Sequence, residues 1–207
     1  MVLEFIFRWS HVLFGLVWIG MLYYFNFVQT EYFKEAEASA KSDAMEKLAP
    51  RALWWFRWGA MFTFITGLYL LHKVGAFNGL VNFGIIWLGA VAGIFMFLNV
   101  WLIIWPNQQI VLGLKEGEGP LAAAKAGLAS RTNTLLSGPM LFGMLGSKHN
   151  PGGIEWTDTG VYICLAIIVL IEINALVGKM GPITTVKGVI HSSILLTAGL
   201  WSVLAFV

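Results

Sequence analysis

FRWSHVLFGLVWIGMLYYFNFVQ, residues 7–29, is the stretch that decides the fold class of this 207-residue chain. About 20 helical residues cross the hydrocarbon core of a bilayer, because a helix pairs every backbone N–H and C=O inside the segment. The stretch is long and apolar enough for that, yet Arg8 and His11 lie in its first two turns. Lipid penalises both side chains, so they are the first candidates for a functional site.

The composition extends this interpretation to the whole chain. Hydrophobic residues make up 58% of it and charged residues 12%, about half the charged share of a soluble domain. This predicts an integral membrane protein with the lipid bilayer as its main partner and no nucleic acid. The single cysteine, Cys164, excludes a disulfide framework, a cysteine-ligated iron–sulfur cluster and a covalent CxxCH heme. Metal chemistry must therefore rest on histidine or carboxylate.

Six stretches qualify as spans and predict an all-α, polytopic helical bundle that forms one transmembrane domain over residues 1–207. We expect the first span to be retained, since no signal-peptide pattern precedes it. The fourth span is the weakest, because it contains Arg131, Gly138 and Pro139 and needs neighbouring helices to satisfy its freed carbonyls. The approximate spans are Phe5 to Val28, Leu53 to Val74, Phe83 to Trp105, Leu128 to Gly146, Gly160 to Val177 and Gly188 to Val207.

The distribution of basic residues predicts the orientation. Residues 30–51 read as a cytoplasmic helical hairpin extension, and residues 106–127 as a cytoplasmic loop leading into the fourth helix. The opposite side holds only Lys73 and Lys148. By the positive-inside rule, both termini lie outside. The connections after the first, third and fifth spans hold eight basic residues, which are Lys34, Lys41, Lys47, Arg51, Lys115, Lys125, Lys179 and Lys187.

Two histidines are candidate iron ligands at similar depth. In this orientation His11 lies about 10 Å below the outer boundary and His72 about 4 Å, and helix tilt can level them. Two neutral imidazoles on facing helices are a common way to hold heme b. His191 lies about 6 Å deep from the cytoplasmic side, too far to share that iron. We therefore expect one heme b, or two if His191 binds another.

Further residues fit a heme beside His11. Arg8 and Lys73 are placed to pair with the propionates, and Gly15, one turn from His11, clears space for a porphyrin. An alternative stays open for His72, because a histidine at a span end also snorkels to the headgroups. His149 stands in a polar loop and is interpreted as a solvated residue.

A second polar set gathers toward the cytoplasmic side. One interpretation is a buried ion-pair network in which Glu172 pairs with Arg57 or Arg131 and fixes helix packing. The other is a functional site: an anionic substrate pocket, a quinone or proton-relay site, or a second heme on His191. The residue pattern leaves both open. The set comprises Asn26, Arg57, Asn99, Arg131, Asn133, Glu172, Asn174 and His191.

Three stretches carry a resemblance to a known family. RWSHVLFGLVWIGMLYYFNFVQ (8–29), RALWWFRWGAMFTFITGLYLL (51–71) and SRTNTLLSGPMLFGML (130–145) resemble the N-terminal membrane domain of bacterial membrane-bound urate oxidases. More distantly, the early histidine and the arginine-led second helix resemble membrane protoporphyrinogen oxidases, which bind heme b. The resemblance supports His11 as a functional position and gives weight to the candidate-pocket residues Asn26, Arg57, Arg131 and Asn133.

The resemblance also implies a setting and partners. In the urate oxidase family this domain is joined to a cytochrome c, and electrons from urate pass to the respiratory chain of a bacterial inner membrane. These 207 residues contain no CxxCH motif, so we expect cytochrome c or other redox subunits as separate partners in a larger complex.

Three functions follow from these observations. The first is a heme b membrane subunit of an oxidoreductase that passes electrons to a periplasmic cytochrome c or partner subunit. The second is direct oxidation of urate, with Arg57 and Arg131 holding the planar anion through forked hydrogen bonds. The third is a cofactor-free scaffold or small-solute transporter, for which a helix break at 137–139 would line a cavity. Whether the chain is itself an enzyme or an electron-transfer subunit stays open at this point.

Overall fold

A computed structural model describes residues 1–75, 84–149, 154 and 158–207, and within these ranges the chain is helical with no strand. The predicted all-α class is confirmed. Phe83, at the start of the predicted third span, and Trp156, shortly before the predicted fifth span, lie outside the described residues. Nine α-helices are seen there: α1 Val2–Tyr23, α2 Thr30–Glu35, α3 Ala38–Asp43, α4 Ala49–Lys73, α5 Gly84–Leu98, α6 Trp105–Val111, α7 Gly119–His149, α8 Thr159–Val177 and α9 Val186–Phe206.

Three pairs of these helices are joined by π-helical turns, and a 3₁₀ turn precedes another helix. The π-helical turns Tyr24–Gln29 join α1 to α2, Ala44–Leu48 join α3 to α4, and Asn99–Ile104 join α5 to α6. A 3₁₀ turn, Gly181–Thr184, precedes α9. Two of the π segments carry a buried asparagine, Asn26 and Asn99. Single π-type turns in helices occur frequently at functional sites.

Four continuous helices in the described part of the chain are long and apolar enough to cross a bilayer, so this is a membrane protein. α4 and α7 are more polar, but their 25 and 31 residues reach about 38 and 46 Å. The total of six spans and the outside position of both termini stay predictions. The four helices are Val2–Glu35, Gly84–Val111, Thr159–Val177 and Val186–Phe206.

The two predicted connections have different outcomes. Residues 30–51 are helical except at Ala36 and Glu37, whose backbones are extended, and their cytoplasmic position stays a prediction. The second connection is shorter than predicted, because the helix continues through Pro106 to Val111 and only residues 112–118 are non-helical. Local π-type adjustment lets a membrane helix tolerate proline, and π turns directly precede Pro106.

α7 is the central helix of the bundle, in contact with α1, α5, α6, α8 and α9. Its low hydropathy is explained by this position, since its neighbours are protein rather than lipid. Pro139 lies inside α7 without interrupting it. Proline cannot donate to the carbonyl four residues earlier, on Leu135, and the Ser193 hydroxyl of α9 donates to that oxygen at 2.8 Å. The predicted need for a neighbouring helix at this point is confirmed.

Glycines set the closest helix approaches. A Cβ on Gly89 of α5 would lie 2.8 Å from the backbone nitrogen of Met144, and one on Gly143 of α7 would overlap the backbone of Gly89. Small residues let membrane helices pack backbone to backbone, where dispersion replaces the missing hydrophobic drive. The α5–α7 contact therefore depends on both glycines. Around it lie fully buried apolar side chains, among them Leu88, Met96, Leu136 and Ile168.

Candidate functional site

His11 of α1 points at α4. Its Nδ1 lies 2.9 Å from the backbone oxygen of Thr63 and 3.1 Å from the hydroxyl of Thr66. A carbonyl oxygen accepts and never donates, so Nδ1 carries the proton and donates to Thr63. The Thr66 hydroxyl donates to the oxygen of Phe62 at 2.6 Å. In the neutral ring the lone pair is then on Nε2, which makes no hydrogen bond within the ranges that the structure describes.

A glycine on α4 makes room for the imidazole. A Cβ on Gly67 would lie 3.0 Å from His11 Cε1, tighter than ordinary van der Waals contact. Gly15 lies against α4, with its Cβ position 3.9 Å from Thr63 Cγ2, and its role in clearing space for a porphyrin stays a prediction. Sequence reasoning missed Gly67 as a partner of His11, because only the pairing of the two helices brings them together.

The other predicted outer residues have separate surroundings. The Arg8 guanidinium donates to Glu4, one turn earlier, with Nη2 2.6 Å from Oε1. This ion pair reduces the penalty of placing Arg8 near the start of a membrane helix. Lys73 Nζ lies 5.8 Å from the ring centre of Tyr69. Propionate pairing by Arg8 and Lys73 stays a prediction.

His72 does not share the face of α4 that His11 contacts. It is exposed, and it lies five residues beyond Gly67. On an α-helix five residues correspond to about 8 Å along the axis and about 140° around it. The pairing of His11 with His72 on one iron stays a prediction, and it requires these helices to rearrange.

His191 is exposed near the start of α9, and His149 is exposed at the end of α7. Within the described ranges, no three His, Cys, Asp or Glu side chains come together as a metal-ion site. This finding concerns bare metal ions, which need three or more such side chains. It does not bear on heme, which needs only one or two protein ligands.

A cavity of about 290 Å³ lies between the α1–α2 region, the start of α4, α6 and α7. Arg131 lines it and is only 5% exposed. The Nη1 of this guanidinium has no hydrogen-bond partner. Arg131 forms no salt bridge among the residues that the structure describes. The cavity thus has one buried cation that forms no salt bridge in the described ranges, and Glu31 is the carboxylate that acts on it electrostatically.

The rest of the lining combines apolar walls with uncharged polar groups. Phe25, Phe56 and Ile104 supply apolar surface. The Asn26 amide is fixed by donating to the oxygen of Leu22 at 2.9 Å and to the hydroxyl of Ser130 at 2.8 Å. Gln29 Oε1 is buried without a partner. This arrangement suits a small planar anion that also has amide-type donors. The uncharged polar lining residues are Asn26, Gln29, Thr30, Gln108, Ser130 and Thr184.

The predicted inner polar set divides into separate places. Asn99, Asn133 and Glu172 join three helices: Asn99 Nδ2 donates to Asn133 Oδ1 at 2.9 Å and to Glu172 Oε2 at 3.0 Å. The predicted pairing of Glu172 with Arg57 or Arg131 is not seen in the described residues.

Helix geometry explains this difference. Arg131 and Asn133 are two residues apart, about 200° around α7, so they face different sides. Arg57 lies against Trp105, with its guanidinium carbon 3.7 Å from the ring centre. Asn174 is exposed at the end of α8, where its amide donates to the oxygen of Lys179 at 3.0 Å. That contact makes Asn174 a helix-end cap.

Comparison with known proteins identifies one family. Residues 73–180, slightly more than half of the chain, match the family described as urate oxidase N-terminal. No curated protein matches, and no solved structure does. The matched range includes Asn99, Arg131, Asn133 and Glu172, whereas His11 lies before it.

Proposed function

Because the chain belongs to the urate oxidase N-terminal family, we propose that it is the membrane-embedded redox subunit of a urate oxidase-type enzyme. In this proposal a urate-like planar anion binds in the Arg131 cavity, and His11 would hold heme b. Electrons from the anion would be handed on to a periplasmic cytochrome c or another partner subunit. The observation that carries the proposal is the buried guanidinium of Arg131, which lines a cavity and has an unpartnered Nη1.

A buried charge that no salt bridge neutralises costs several kcal/mol, and an anionic ligand at the unpartnered Nη1 of Arg131 would lower that cost. The planar fork of arginine matches two acceptors of a flat anion, and Lys would lack that match. Drug-sized ligands occupy pockets of about 300–1,000 Å³. At about 290 Å³ this cavity suits a smaller molecule. Urate is a planar monoanion at neutral pH and carries both amide donors and carbonyl acceptors.

The surroundings of His11 suit a histidine that would bind heme iron. Ligating histidines almost always donate their other ring nitrogen to a carbonyl or carboxylate, which fixes the tautomer. His11 Nδ1 does this with Thr63 O at 2.9 Å, leaving Nε2 as the ligand atom. Heme b, when bound, would supply a one-electron carrier. His72 would be the second ligand, and His191 would hold a second heme.

The setting follows from the charge distribution and the family. We place the chain in a bacterial inner membrane, with both termini outside. The Arg131 cavity then opens at the cytoplasmic end and His11 lies toward the periplasm. This arrangement supports substrate access from the cytoplasm and electron exit to a periplasmic partner.

Anion binding is tested by calorimetry with urate on the purified protein in nanodiscs. Loss of a charge-assisted hydrogen bond costs about 1.5–3 kcal/mol, so R131Q should weaken binding roughly 10- to 100-fold. K125Q is the matched control, because Lys125 is an exposed cation of the same helix. Equal affinity in R131Q and K125Q would remove the cavity from the proposal.

Heme binding is tested separately by a pyridine hemochrome assay and visible spectra. H11A should abolish the heme, whereas H149A, which changes an exposed histidine at the end of α7, should retain it. A low-spin spectrum that H72A converts to high-spin would assign His72 as second ligand. Colourless wild-type protein from heme-replete cells would end the heme part of the proposal.

The transporter alternative has lost its supporting feature, since α7 is continuous through residues 137–139.

A further inference from the structure

Glu172 is a buried carboxylate in a helix that is apolar enough to cross the membrane. It lies in α8 and is 8% exposed. Its side-chain hydrogen bond comes from Asn99, at 3.0 Å, and it forms no salt bridge in the described part of the chain. An ionisable residue within a membrane helix is a candidate functional group by default, because its charged form is costly there.

The two asparagines beside it are oriented by the backbone. Asn133 Nδ2 donates to the oxygen of Met96 at 2.9 Å, which leaves Asn133 Oδ1 as an acceptor. Asn99 Nδ2 fills that acceptor at 2.9 Å and directs its remaining hydrogen to Glu172. Asn99 Nδ2 therefore donates in two directions, to the carboxylate of Glu172 and to Asn133, which donates in turn to the Met96 carbonyl.

The Asn99 amide has a free acceptor as well as donors. Asn99 is completely buried, and its Oδ1 has no hydrogen-bond partner. The amide whose N–H donates to Glu172 therefore also carries an unused oxygen, which is the kind of acceptor that a protonated acid requires.

No cation from the packed helices neutralises Glu172. The α5–α6 segment, Gly84–Val111, contains no ionisable Asp, Glu, Lys, Arg or His. Arg131 of α7 lines the cavity on a different face from Asn133. The other such groups on α7 and α9 are Lys125, Lys148, His149, Lys187 and His191. All five are exposed, and none forms a hydrogen bond or salt bridge with Glu172 in the described ranges.

We propose that Glu172, with Asn99 and Asn133, forms a proton-binding site inside the membrane. Glu172 lies five residues before the end of α8 at Val177, about 8 Å along the helix, so the proton exchanges with water at that end. This inference goes beyond urate and heme binding and depends on neither.

The test is infrared spectroscopy of the protein in nanodiscs during a pH titration in H₂O and D₂O. A carboxylic-acid carbonyl band should appear and disappear reversibly with pH and shift in D₂O. E172Q should remove it, and N99L should shift its frequency. E118Q, which changes an exposed glutamate in the loop before α7, should leave it unchanged.

Three results would overturn the proposal. One is wild-type protein with no titrating buried-acid band, which needs no variant to interpret. Another is a band that survives E172Q in folded protein, as judged by circular dichroism. The third is loss of the band on adding Na⁺ at constant pH, which would make the site a sodium site.

Discussion

The hydroxyl of Ser193 donates to the carbonyl oxygen of Leu135 across the α7–α9 interface, at 2.8 Å. Pro139 cannot donate a hydrogen bond to that oxygen, because proline has no N–H. Gly138 allows the approach, since a Cβ there would overlap Ser193 Oγ. One residue on α9 thus completes the hydrogen bonding of the central helix. The result shows how a polar, proline-containing segment remains an unbroken helix within the bundle.

S193A should destabilise the protein by about 1 kcal/mol, because it leaves a buried carbonyl unpaired. Thermal melting in detergent measures the effect. S202A is the matched control: Ser202 is exposed on the same helix and bonds only to Ala198. In P139A the backbone N–H returns, so S193A should cost less in that background. An equal cost with and without Pro139 would contradict this account.

G143A should destabilise the α5–α7 contact by about 1–3 kcal/mol, since the new methyl group meets the backbone of Gly89 rather than a movable side chain. The melting temperature should fall. G199A provides the control, because nothing lies within 4 Å of a Cβ at that position of α9. If G143A and G199A have the same melting temperature, α5 and α7 do not pack backbone to backbone.

R131M should raise the melting temperature in the absence of ligand. Replacing a buried charge that forms no salt bridge in the described ranges by an apolar side chain removes a desolvation cost of about 1 kcal/mol or more. R57M should lower the melting temperature, because it removes the stacking of Arg57 on Trp105, worth about 1 kcal/mol. Destabilisation by R131M would mean that Arg131 has a structural partner.

His11 should be neutral with its proton on Nδ1, because that nitrogen faces the carbonyl of Thr63. Solid-state NMR of protein with ¹⁵N-labelled histidine, before heme is added, reads the tautomer from the two ring-nitrogen shifts, and H11Q assigns the signal. G67A should perturb these shifts, since its methyl group displaces the ring. A signal with the proton on Nε2 would argue against ligation through that atom.

Part of the candidate site was predictable from the sequence. The depth of His11 and the polarity of Arg131, Asn99 and Glu172 were visible as exceptions in apolar spans. Their partners were not. The predicted ion pair of Glu172 with an arginine is replaced by an amide, since Arg131 faces another side of α7. The glycine that makes room for the imidazole itself, Gly67, lies on a different helix, and the porphyrin role of Gly15 stays a prediction.

Amino-acid composition and the length of the apolar stretches by themselves determined the membrane class and the helical fold. The reason is that a lipid environment requires each segment to pair its own backbone groups locally. Only the tertiary structure decided which polar side chains meet. Helix rotation and crossing are set by contacts such as Gly89 with Gly143, between residues distant in the chain. These contacts turned one predicted polar cluster into an arginine-lined cavity and a separate carboxylate–amide site.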